Sequence, residues 1–341
     1  ATALQNQLNT LKTNYTTLKS QYTQLQNQYT TLQTQYNQLE SNYTALQSQY
    51  SQLEAYAGTI NNTVSFYKSI ITPVAYVYEG QGMNALVLYL NITNPTSTVM
   101  NMTLDAYVGS PISGEVLQLP TYVIVPPSIT LELPAMWVVY NSTYMSYSSF
   151  FGIGGGESGT FTTEMFKHVN LTITVLTNEL TDLGISGIAY NTTIVKVVNV
   201  NQPIGYAEYW PSTPGQWWST SFSIDLINPL STGVTINGYE LYSYNGTLLT
   251  TCTLVPSITI NATSVTSFSL PTESQTNYYL GVNWYTPELG EWEWGGITIS
   301  QVVCSPNYWF PLSTSQLPFG YTVLNTSIGN VTVPLVPPPW G

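Results

Sequence analysis

The sequence is poor in charged side chains. Only 6% of its 341 residues are charged, and five Lys plus Arg stand against seventeen Asp plus Glu. So few cations cannot neutralise a phosphate backbone, and we therefore predict no nucleic-acid partner. The formal net charge is -12 at pH 7, and it falls close to zero at about pH 3, where most carboxylates are protonated. With few titrating groups, we expect little unfolding in acid.

Residue types used in catalysis and metal binding are also scarce. The one histidine is His168, and the aspartates are Asp105, Asp182 and Asp225. No aspartate lies in an Asp-Thr-Gly-like turn of the acid-protease kind, and a single histidine without a nearby cysteine cannot form a zinc site. The glycine-rich stretch 151–159 lacks the lysine of a phosphate loop. The sequence therefore predicts no enzyme activity, no metal and no other cofactor.

Long hydrophobic runs and cysteines are equally limited. No run approaches the roughly 20 apolar residues that a membrane-spanning helix needs. The two cysteines, Cys252 and Cys304, both lie in strand-like sequence. An even count in a chain with extracellular features predicts one disulfide, and two buried thiols are the alternative.

Acceptor sites for N-linked glycans are more frequent than chance predicts. The Asn-X-Ser/Thr pattern occurs twelve times, whereas the Asn, Ser and Thr content would give roughly six at random. If these sites are modified, the protein is an extracellular glycoprotein. The twelve asparagines are Asn14, Asn42, Asn61, Asn91, Asn101, Asn141, Asn170, Asn191, Asn245, Asn261, Asn325 and Asn330.

The most regular feature of the chain is a heptad repeat over its first seventy residues. Leucine recurs every seven residues over 4–53, and a second series, mostly tyrosine, follows it four residues later. These spacings are the d and a positions of a coiled coil, and Tyr67 and Ile71 continue the two series. The predicted oligomerisation residues are Leu11, Tyr15, Leu18, Tyr22, Leu25, Tyr29, Leu32, Tyr36, Leu39, Tyr43, Leu46, Tyr50 and Leu53.

A helix with so narrow an apolar stripe cannot bury it alone, so we expect a homo-oligomer. Tyrosine at a with leucine at d lacks the β-branched a residues typical of dimers, and a ring at every a layer favours three chains. A helix over residues 4–71 would be about 100 Å long, which is typical of a stalk. The alternatives are a long core helix of a globular domain and a disordered or aggregating tract rich in Gln, Thr and Tyr.

Amide side chains flank the stripe at positions where most coiled coils carry Glu and Lys. Carboxylates lose their charge at about pH 4, whereas hydrogen bonds of amides and hydroxyls do not titrate. The sequence therefore predicts a coiled coil suited to low pH. The flanking amides are Gln7, Gln21, Gln28, Gln35 and Gln49 at g, and Gln5, Gln26, Gln33 and Gln47 at e.

The character of the sequence changes at Pro73, which cannot continue a helix. Beyond it, Val, Ile, Thr and Tyr alternate with polar residues in short runs separated by Gly, Pro and Asn, a pattern typical of antiparallel strands. The stretch 244–247, Tyr-Asn-Gly-Thr, is predicted to be a hairpin turn. We therefore predict a mostly β fold with an N-terminal α-helical coiled coil.

The β region contains an internal repeat with an offset of 134 residues, at which Asn94-Pro95 matches Asn228-Pro229. Matching order over a long stretch predicts two copies of one fold, each long enough for an immunoglobulin-like β-sandwich. The further matches are Ser97, Thr98 and Val99 with Ser231, Thr232 and Val234, Val125 and Pro126 with Val255 and Pro256, and Ile194, Val197 and Val198 with Ile299, Val302 and Val303.

These patterns predict four segments. A coiled-coil stalk covers 1–72, and two tandem immunoglobulin-like β-sandwich domains cover 73–202 and 203–306. A C-terminal strand and Pro-rich tail occupy 307–341. This last segment either completes its own chain or pairs with an exposed strand edge of a neighbouring chain.

Two resemblances follow from the same residues. One resemblance is to the β-sandwich module of late-embryogenesis-type proteins. It rests on the Asn-Pro strand at 228–229, the Tyr-Asn-Gly turn at 244–246 and the alternating Ile258, Ile260, Val265 and Phe268. That resemblance implies a sandwich and nothing about activity. The Thr, Tyr and Asn content, the scarce charge and the sequons resemble surface glycoproteins of thermoacidophilic archaea and their viruses, including the stalk proteins that hold up S-layers. In those proteins the stalk usually follows the β domains, whereas here it precedes them.

Tryptophans cluster in the second copy of the repeat. Trp210, Trp217 and Trp218 lie in a stretch rich in Pro, Ser and Gly, and Trp292 and Trp294 alternate with glutamates. Tryptophan stacks on the faces of sugars, and a neighbouring carboxylate accepts hydrogen bonds from hydroxyls. The five tryptophans are therefore candidate glycan-binding residues, with core packing or a subunit interface as the alternative.

Together these features predict a non-enzymatic, extracellular structural glycoprotein. It would be an oligomeric, acid-stable stalk, spike or fibre subunit of a cell surface or virion in a hot, acidic habitat. Its partners would be copies of itself and other surface or virion proteins at the base of the stalk. The alternatives are an adhesin or host-attachment protein that binds glycans through the Trp-rich second β domain, and a polymerising filament subunit.

Overall fold

A computed structural model of the protein describes residues 1–108, 114–115, 121–149, 152–158, 161–167, 171–192, 194–209, 218–219, 221–286, 291–311 and 320–336. The chain divides into two compact units, Ala1–Thr63 and Val64–Gly341. The first unit is helical and the second is mostly β.

Helix α1 spans Thr2–Ile70, which confirms the predicted N-terminal helix. The segment holds no proline and a single glycine, Gly58. Threonine usually weakens a helix because its hydroxyl competes for backbone hydrogen bonds. In α1 these hydroxyls bond to the preceding turn of the same helix, as where Thr10 Oγ1 donates to the Asn6 carbonyl at 3.0 Å. The same bond is made by Thr13, Thr16, Thr23, Thr30, Thr31, Thr34, Thr44 and Thr59.

The helix ends earlier than the heptad series predicted. Ile71, expected at an a position, is the first residue of a strand. Tyr67, expected at a d position, is 4% exposed in the core of the β unit, and its hydroxyl donates to Glu179 Oε2 at 2.8 Å. The strand prevails because the run Ile-Thr-Pro brings two β-branched residues and a proline, which has no N–H to donate within a helix.

The first β region forms two sheets. One has the order β11-β1-β2-β6-β7-β8, and the other has the order β10-β9-β3-β4, with β5 also paired to β3. The elements are β1 (Ile71–Glu79), β2 (Asn84–Thr93), β3 (Met100–Val108), β4 (Gly114–Glu115), β5 (Thr121–Val125), β6 (Thr130–Tyr140), β7 (Tyr144–Ser149), β8 (Gly152–Ser158), α2 (Thr163–Lys167), β9 (Leu171–Thr177), α3 (Asn178–Asp182), β10 (Ile188–Thr192) and β11 (Ile194–Asn199).

The second β region closes into a barrel with the order β12-β14-β17-β18-β19-β16-β15-β21-β22, and β13 and β20 form a separate pair. Closure is completed by parallel pairing of β12 with β22. The strands are β12 (Ile204–Tyr209), β13 (Trp218–Ser219), β14 (Ser221–Asn228), β15 (Val234–Ser243), β16 (Leu248–Ile260), β17 (Ser264–Pro271), β18 (Gln275–Thr286), β19 (Glu291–Ser305), β20 (Phe310–Pro311), β21 (Gly320–Thr326) and β22 (Gly329–Val336).

The structure confirms a mostly β chain with a long N-terminal helix, but the closed barrel differs from the immunoglobulin-like sandwich that we expected. Two strands join the sheets that would otherwise face each other across a sandwich. At one edge, β22 pairs with both β21 and β12. At the other edge, β19, which has 15 residues, pairs with β18 as far as Val302 and with β16 over Gln301–Ser305.

The two β regions share one strand order, as the internal repeat predicts. Strands β1, β2 and β6 are consecutive neighbours, and so are β12, β14 and β17. Strands β9, β3 and β5 are neighbours in the same way as β21, β15 and β16. In each region a late strand runs parallel to the first one, β11 beside β1 and β22 beside β12.

The Asn-Pro turns that follow β2 and β14 are alike in detail. Both asparagines are fully buried. Asn94 Nδ2 donates to the Thr98 carbonyl at 2.7 Å and to the Val125 carbonyl at 2.9 Å. Asn228 Nδ2 donates to the carbonyl four residues later at 3.0 Å and to the Asn261 carbonyl at 2.8 Å. Each asparagine thus ties its turn to a segment of the same region that is distant in sequence.

One predicted match of the repeat is wrong. Ile194 lies in β11, which pairs with β1, whereas Ile299 lies in β19, which pairs with β18. Short runs of Val and Ile look alike in any buried strand, so the sequence could not distinguish them. The segment 307–341, expected to be a separate strand and tail, supplies β21 and β22, which pair with β15 and β12 of the same chain.

The two β regions pack against each other through apolar side chains. Each has its own buried cluster, but four side chains of the barrel belong to the cluster of the first region. These four come from strands β12, β14, β17 and β18, and they are Tyr206, Ile227, Val265 and Tyr285. The junction between the regions is therefore part of a continuous core.

We expect Asn94→Ala and Asn228→Ala each to lower the free energy of unfolding by about 1–3 kcal/mol, because each change removes the two hydrogen bonds that a fully buried side chain donates. Urea denaturation followed by circular dichroism measures this effect. Asn201→Ala, at an exposed asparagine, is the matched control and should change stability by less than about 0.5 kcal/mol. Equal stability of all three variants would contradict the structural role of the turns.

Candidate functional site

The heptad stripe of α1 is exposed on the single chain. All thirteen predicted oligomerisation residues are between 63 and 67% exposed, although every one is Leu or Tyr. Soluble monomers rarely expose a continuous apolar surface of this extent, and such a surface marks a site of association. The stripe is therefore the first candidate functional surface.

Heptad numbering also reveals an ordered placement of charge that the composition alone did not show. Every charged side chain of α1 lies at an e position: Lys12, Lys19, Glu40, Glu54 and Lys68. The g positions carry no charge. In a parallel coiled coil, e faces g of the neighbouring chain, so each charge meets an amide or another neutral side chain, and no like charges face each other across the e–g contacts.

The predicted disulfide is confirmed. Cys252 and Cys304 are joined, and they occupy directly paired positions in β16 and β19 with their Cα atoms 4.1 Å apart. Both are buried. The bond lies in the segment of β19 that closes the barrel, so it covalently fixes the strand pairing that distinguishes this region from a sandwich.

Most predicted sequon asparagines reach solvent. Asn91 and Asn141 are half-buried, and Asn170 lies outside the described residues. The exposed ones are Asn14, Asn42, Asn61, Asn101, Asn191, Asn245, Asn261, Asn325 and Asn330. Access for a glycosyl group is therefore open at these positions.

Two sequons also have a structural role as turns. Asn141 Oδ1 accepts hydrogen bonds from the N–H of Thr143 at 2.8 Å and from its Oγ1 at 3.0 Å. Asn245 Oδ1 accepts the same pair from Thr247, at 3.3 Å and 2.9 Å. Asn94 makes this turn as well, although the proline after it rules out a sequon. Part of the sequon excess thus reflects a preferred turn.

The five tryptophans proposed to bind glycans are differently placed. Trp294 is 69% exposed on β19. Trp218 lies in β13 beside β20, and Trp292 lies in β19 opposite Tyr285. The side chains of these last two, together with all of Trp210 and Trp217, lie outside the described parts of the chain.

An exposed aromatic surface nevertheless exists where β18 and β19 pair. Tyr279 is 57% exposed and Trp294 is 69% exposed. Gly281 and Gly296, which are directly paired across the two strands, lie between these two side chains. The Tyr279 ring occupies the space that a Cβ on Gly296 would need, and Trp294 Nε1 lies 3.9 Å from where a Cβ on Gly281 would sit. Both rings thus lean over the same pair of glycines.

The opposite face of the same strands is well anchored. Trp284 packs against the barrel core, and its Nε1 donates to Glu293 Oε2 at 2.6 Å. Leu280, Val282 and Ile299 are buried beside it. Tryptophan content alone does not point to Tyr279. The sequence signal is the spacing Tyr-X-Gly at 279–281 and Trp-X-Gly at 294–296.

The acidic residues considered for catalysis do not come together. Asp105 lies in β3 and Asp225 in β14, while Asp182 is exposed at the end of α3. His168 lies outside the described residues. Within the described ranges, no group of three or more His, Cys, Asp or Glu side chains is arranged as a metal ion would require.

Asp225 lines a small cavity at the junction of the two β regions. The cavity has a volume of about 20 Å³, which is enough for about one water molecule. Trp137 lines the same cavity, is 5% exposed, and its Nε1 has no hydrogen-bond partner among the described residues. Burial raises the pKa of the Asp225 carboxyl, and hydrogen bonds donated by Ser267 and Tyr206 oppose that shift.

Comparison with known proteins gives no family for this chain. No protein-family model matches it, and no curated protein matches it significantly. None of the helices in the described ranges combines the length and hydropathy needed to cross a membrane.

We expect Asp225→Asn to flatten the pH dependence of stability. Because the folded pKa is raised, the contribution of Asp225 is fully present below the unfolded pKa of about 4 and is lost as pH rises through the folded pKa. Asparagine keeps the shape and an acceptor but does not ionise. The free energy of unfolding, measured from pH 3 to 7, should therefore fall less in Asp225→Asn than in the native protein.

The control for this measurement is Asp182→Asn, which neutralises an exposed aspartate. It should retain the pH slope of the native protein. If Asp225→Asn and the native protein show the same slope, the junction carboxyl does not contribute to acid stability.

Proposed function

We propose that this protein is a non-enzymatic, extracellular structural protein whose chains associate in parallel, three at a time, along residues 4–53. The observation that carries the proposal is the exposed heptad stripe, in which thirteen Leu and Tyr side chains remain more than 60% exposed on the single chain. Each fully buried side chain of this size contributes about 1.5–3 kcal/mol, so its burial strongly favours association.

The borders of the stripe support association in acid. Four e positions carry the charged residues Lys12, Lys19, Glu40 and Glu54. Every other e and g position over residues 4–53 carries an amide, which does not change protonation at low pH. The threonine hydroxyls bonded within the helix occupy positions b, c and f, away from the stripe. A parallel assembly has no ion pair across its e–g contacts that acid could break, because g carries no charged residue.

The proposed role is a stalk, spike or fibre subunit at a cell surface or virion. The disulfide and the exposed sequons are compatible with an extracellular glycoprotein. The repeated strand order of the two β regions supports an origin by duplication of one sandwich-like module. A filament subunit is the competing role, and its mass would grow with concentration.

We expect the native protein to have three times the chain mass of 37.7 kDa in sedimentation equilibrium, both at pH 3 and at pH 7. The double change Leu25→Asp and Leu32→Asp should reduce this to one chain mass at pH 7, because it places charge in the apolar seam. The matched control is Thr23→Asp and Thr30→Asp, which adds the same charge at b positions and should leave the mass unchanged.

A single-chain mass for the native protein at both pH values would overturn the proposal. A mass that rises without limit as concentration increases would replace the closed trimer by an open filament.

A further inference from the structure

We propose that the outer face of β18 and β19 is a carbohydrate-binding site, at which Tyr279 and Trp294 stack on a neutral pyranose ring. This inference does not depend on the oligomeric role proposed above.

The paired glycines create the shape of the site. Gly281 and Gly296 face each other across the two strands, so no side chain stands between the rings. A Cβ at Gly296 would collide with the Tyr279 ring, and one at Gly281 would meet the edge of Trp294. Because the glycines have no side chains, both rings can pack against the backbone of the sheet, which gives a flat apolar surface. A pyranose ring presents a comparably flat face of C–H groups, and aromatic faces with their negative charge attract such groups.

The site is held rigidly from the other side of the sheet. Leu280, Val282 and Ile299 are buried in the barrel core, and Trp284 is fixed by its hydrogen bond to Glu293 at 2.6 Å. Since the strands are anchored, the backbone that carries the two exposed rings is already ordered when a ligand binds. Preorganisation of this kind favours a small ligand, which has few contacts with which to offset ordering costs.

The surroundings select an uncharged, hydroxyl-rich ligand. The three strand pairs that form the face are Tyr279 with Thr298, Gly281 with Gly296, and Asn283 with Trp294. None of these side chains is charged, and Asn283 and Thr298 are exposed. An amide and a hydroxyl can both donate and accept hydrogen bonds, which suits the hydroxyls of a sugar.

A protein partner fits this face less well. A stable protein interface buries about 800 Å² on each partner around a hydrophobic centre, whereas two aromatic side chains surrounded by polar groups supply only a fraction of that. One sugar ring with two or three hydroxyl contacts matches the size of the surface. The sugar could belong to an N-linked glycan or to a free polysaccharide, and both present the same neutral pyranose face.

The test uses the full chain on an array that carries neutral N-linked glycans in one arm and neutral hexose oligosaccharides in the other. The Kd of the best binder is then measured by calorimetry. Trp294→Ala, Tyr279→Ala and Gly296→Ala should each weaken binding about tenfold or more. Gly296→Ala is informative because it displaces the Tyr279 ring while both aromatic residues remain.

The matched control is Trp309→Ala. Trp309 is 60% exposed elsewhere on the barrel region, with its Nε1 3.3 Å from Glu273 Oε2, and its loss should change Kd less than about twofold. Trp294→Phe keeps a ring and should retain most of the affinity. The arm that binds identifies the source of the sugar. The proposal is overturned if the native protein binds neither arm, if Trp294→Ala binds as tightly as the native protein, or if Trp309→Ala weakens binding as much as Trp294→Ala.

Discussion

An apolar stripe only two heptad positions wide cannot be covered by the helix that carries it. In α1 this geometric constraint applies over seven heptads, and the single chain leaves every Leu and Tyr of the stripe mostly exposed. The helix is otherwise internally satisfied, since its threonine hydroxyls bond to their own backbone. The stripe can be covered only by a partner surface of the same length and period. A second copy of α1 has such a surface.

In the second unit, two β regions with a similar order of neighbouring strands differ in how their sheets are joined. Both β regions use the same neighbour order and the same buried Asn-Pro turn. In the second region, β19 is long enough to pair with both sheets, and the disulfide lies where it crosses between them. The closed arrangement places a firmly anchored pair of strands, β18 and β19, with one face in the core and one in solvent.

Periodicity and spacing predicted much of this architecture. The seven-residue repeat identified α1 because few other structures sustain it, and the match of Asn94 to Asn228 identified two turns that make the same kinds of hydrogen bond. The end of the helix at Ile70 could not be predicted from the sequence. Tyr67 fits the heptad series, although in the structure it packs in the core of the β unit. Barrel closure was also hidden, since strand pairing depends on contacts between segments far apart in sequence. The aromatic surface at Tyr279 required knowledge of register, which places Gly296 beneath the ring.

Neither unit depends on many charged side chains for its stability. The stripe has amide borders, and the junction of the β regions contains a carboxyl whose pKa is raised by burial, so protonation in acid removes little that stabilises either unit. The claim on which the account rests is that α1 lies parallel and in register beside copies of itself.

The most direct test is the distance between single spin labels placed at Thr10→Cys, an exposed c position outside the stripe, in the oxidised protein at pH 3. Helix axes in contact are about 10 Å apart, so a parallel seam with outward-facing labels predicts separations of about 20–30 Å. An antiparallel arrangement over residues 4–53 would place the labels about 55 Å apart, given a rise of about 1.5 Å per residue. That distance, or no dipolar coupling at all, would contradict the account.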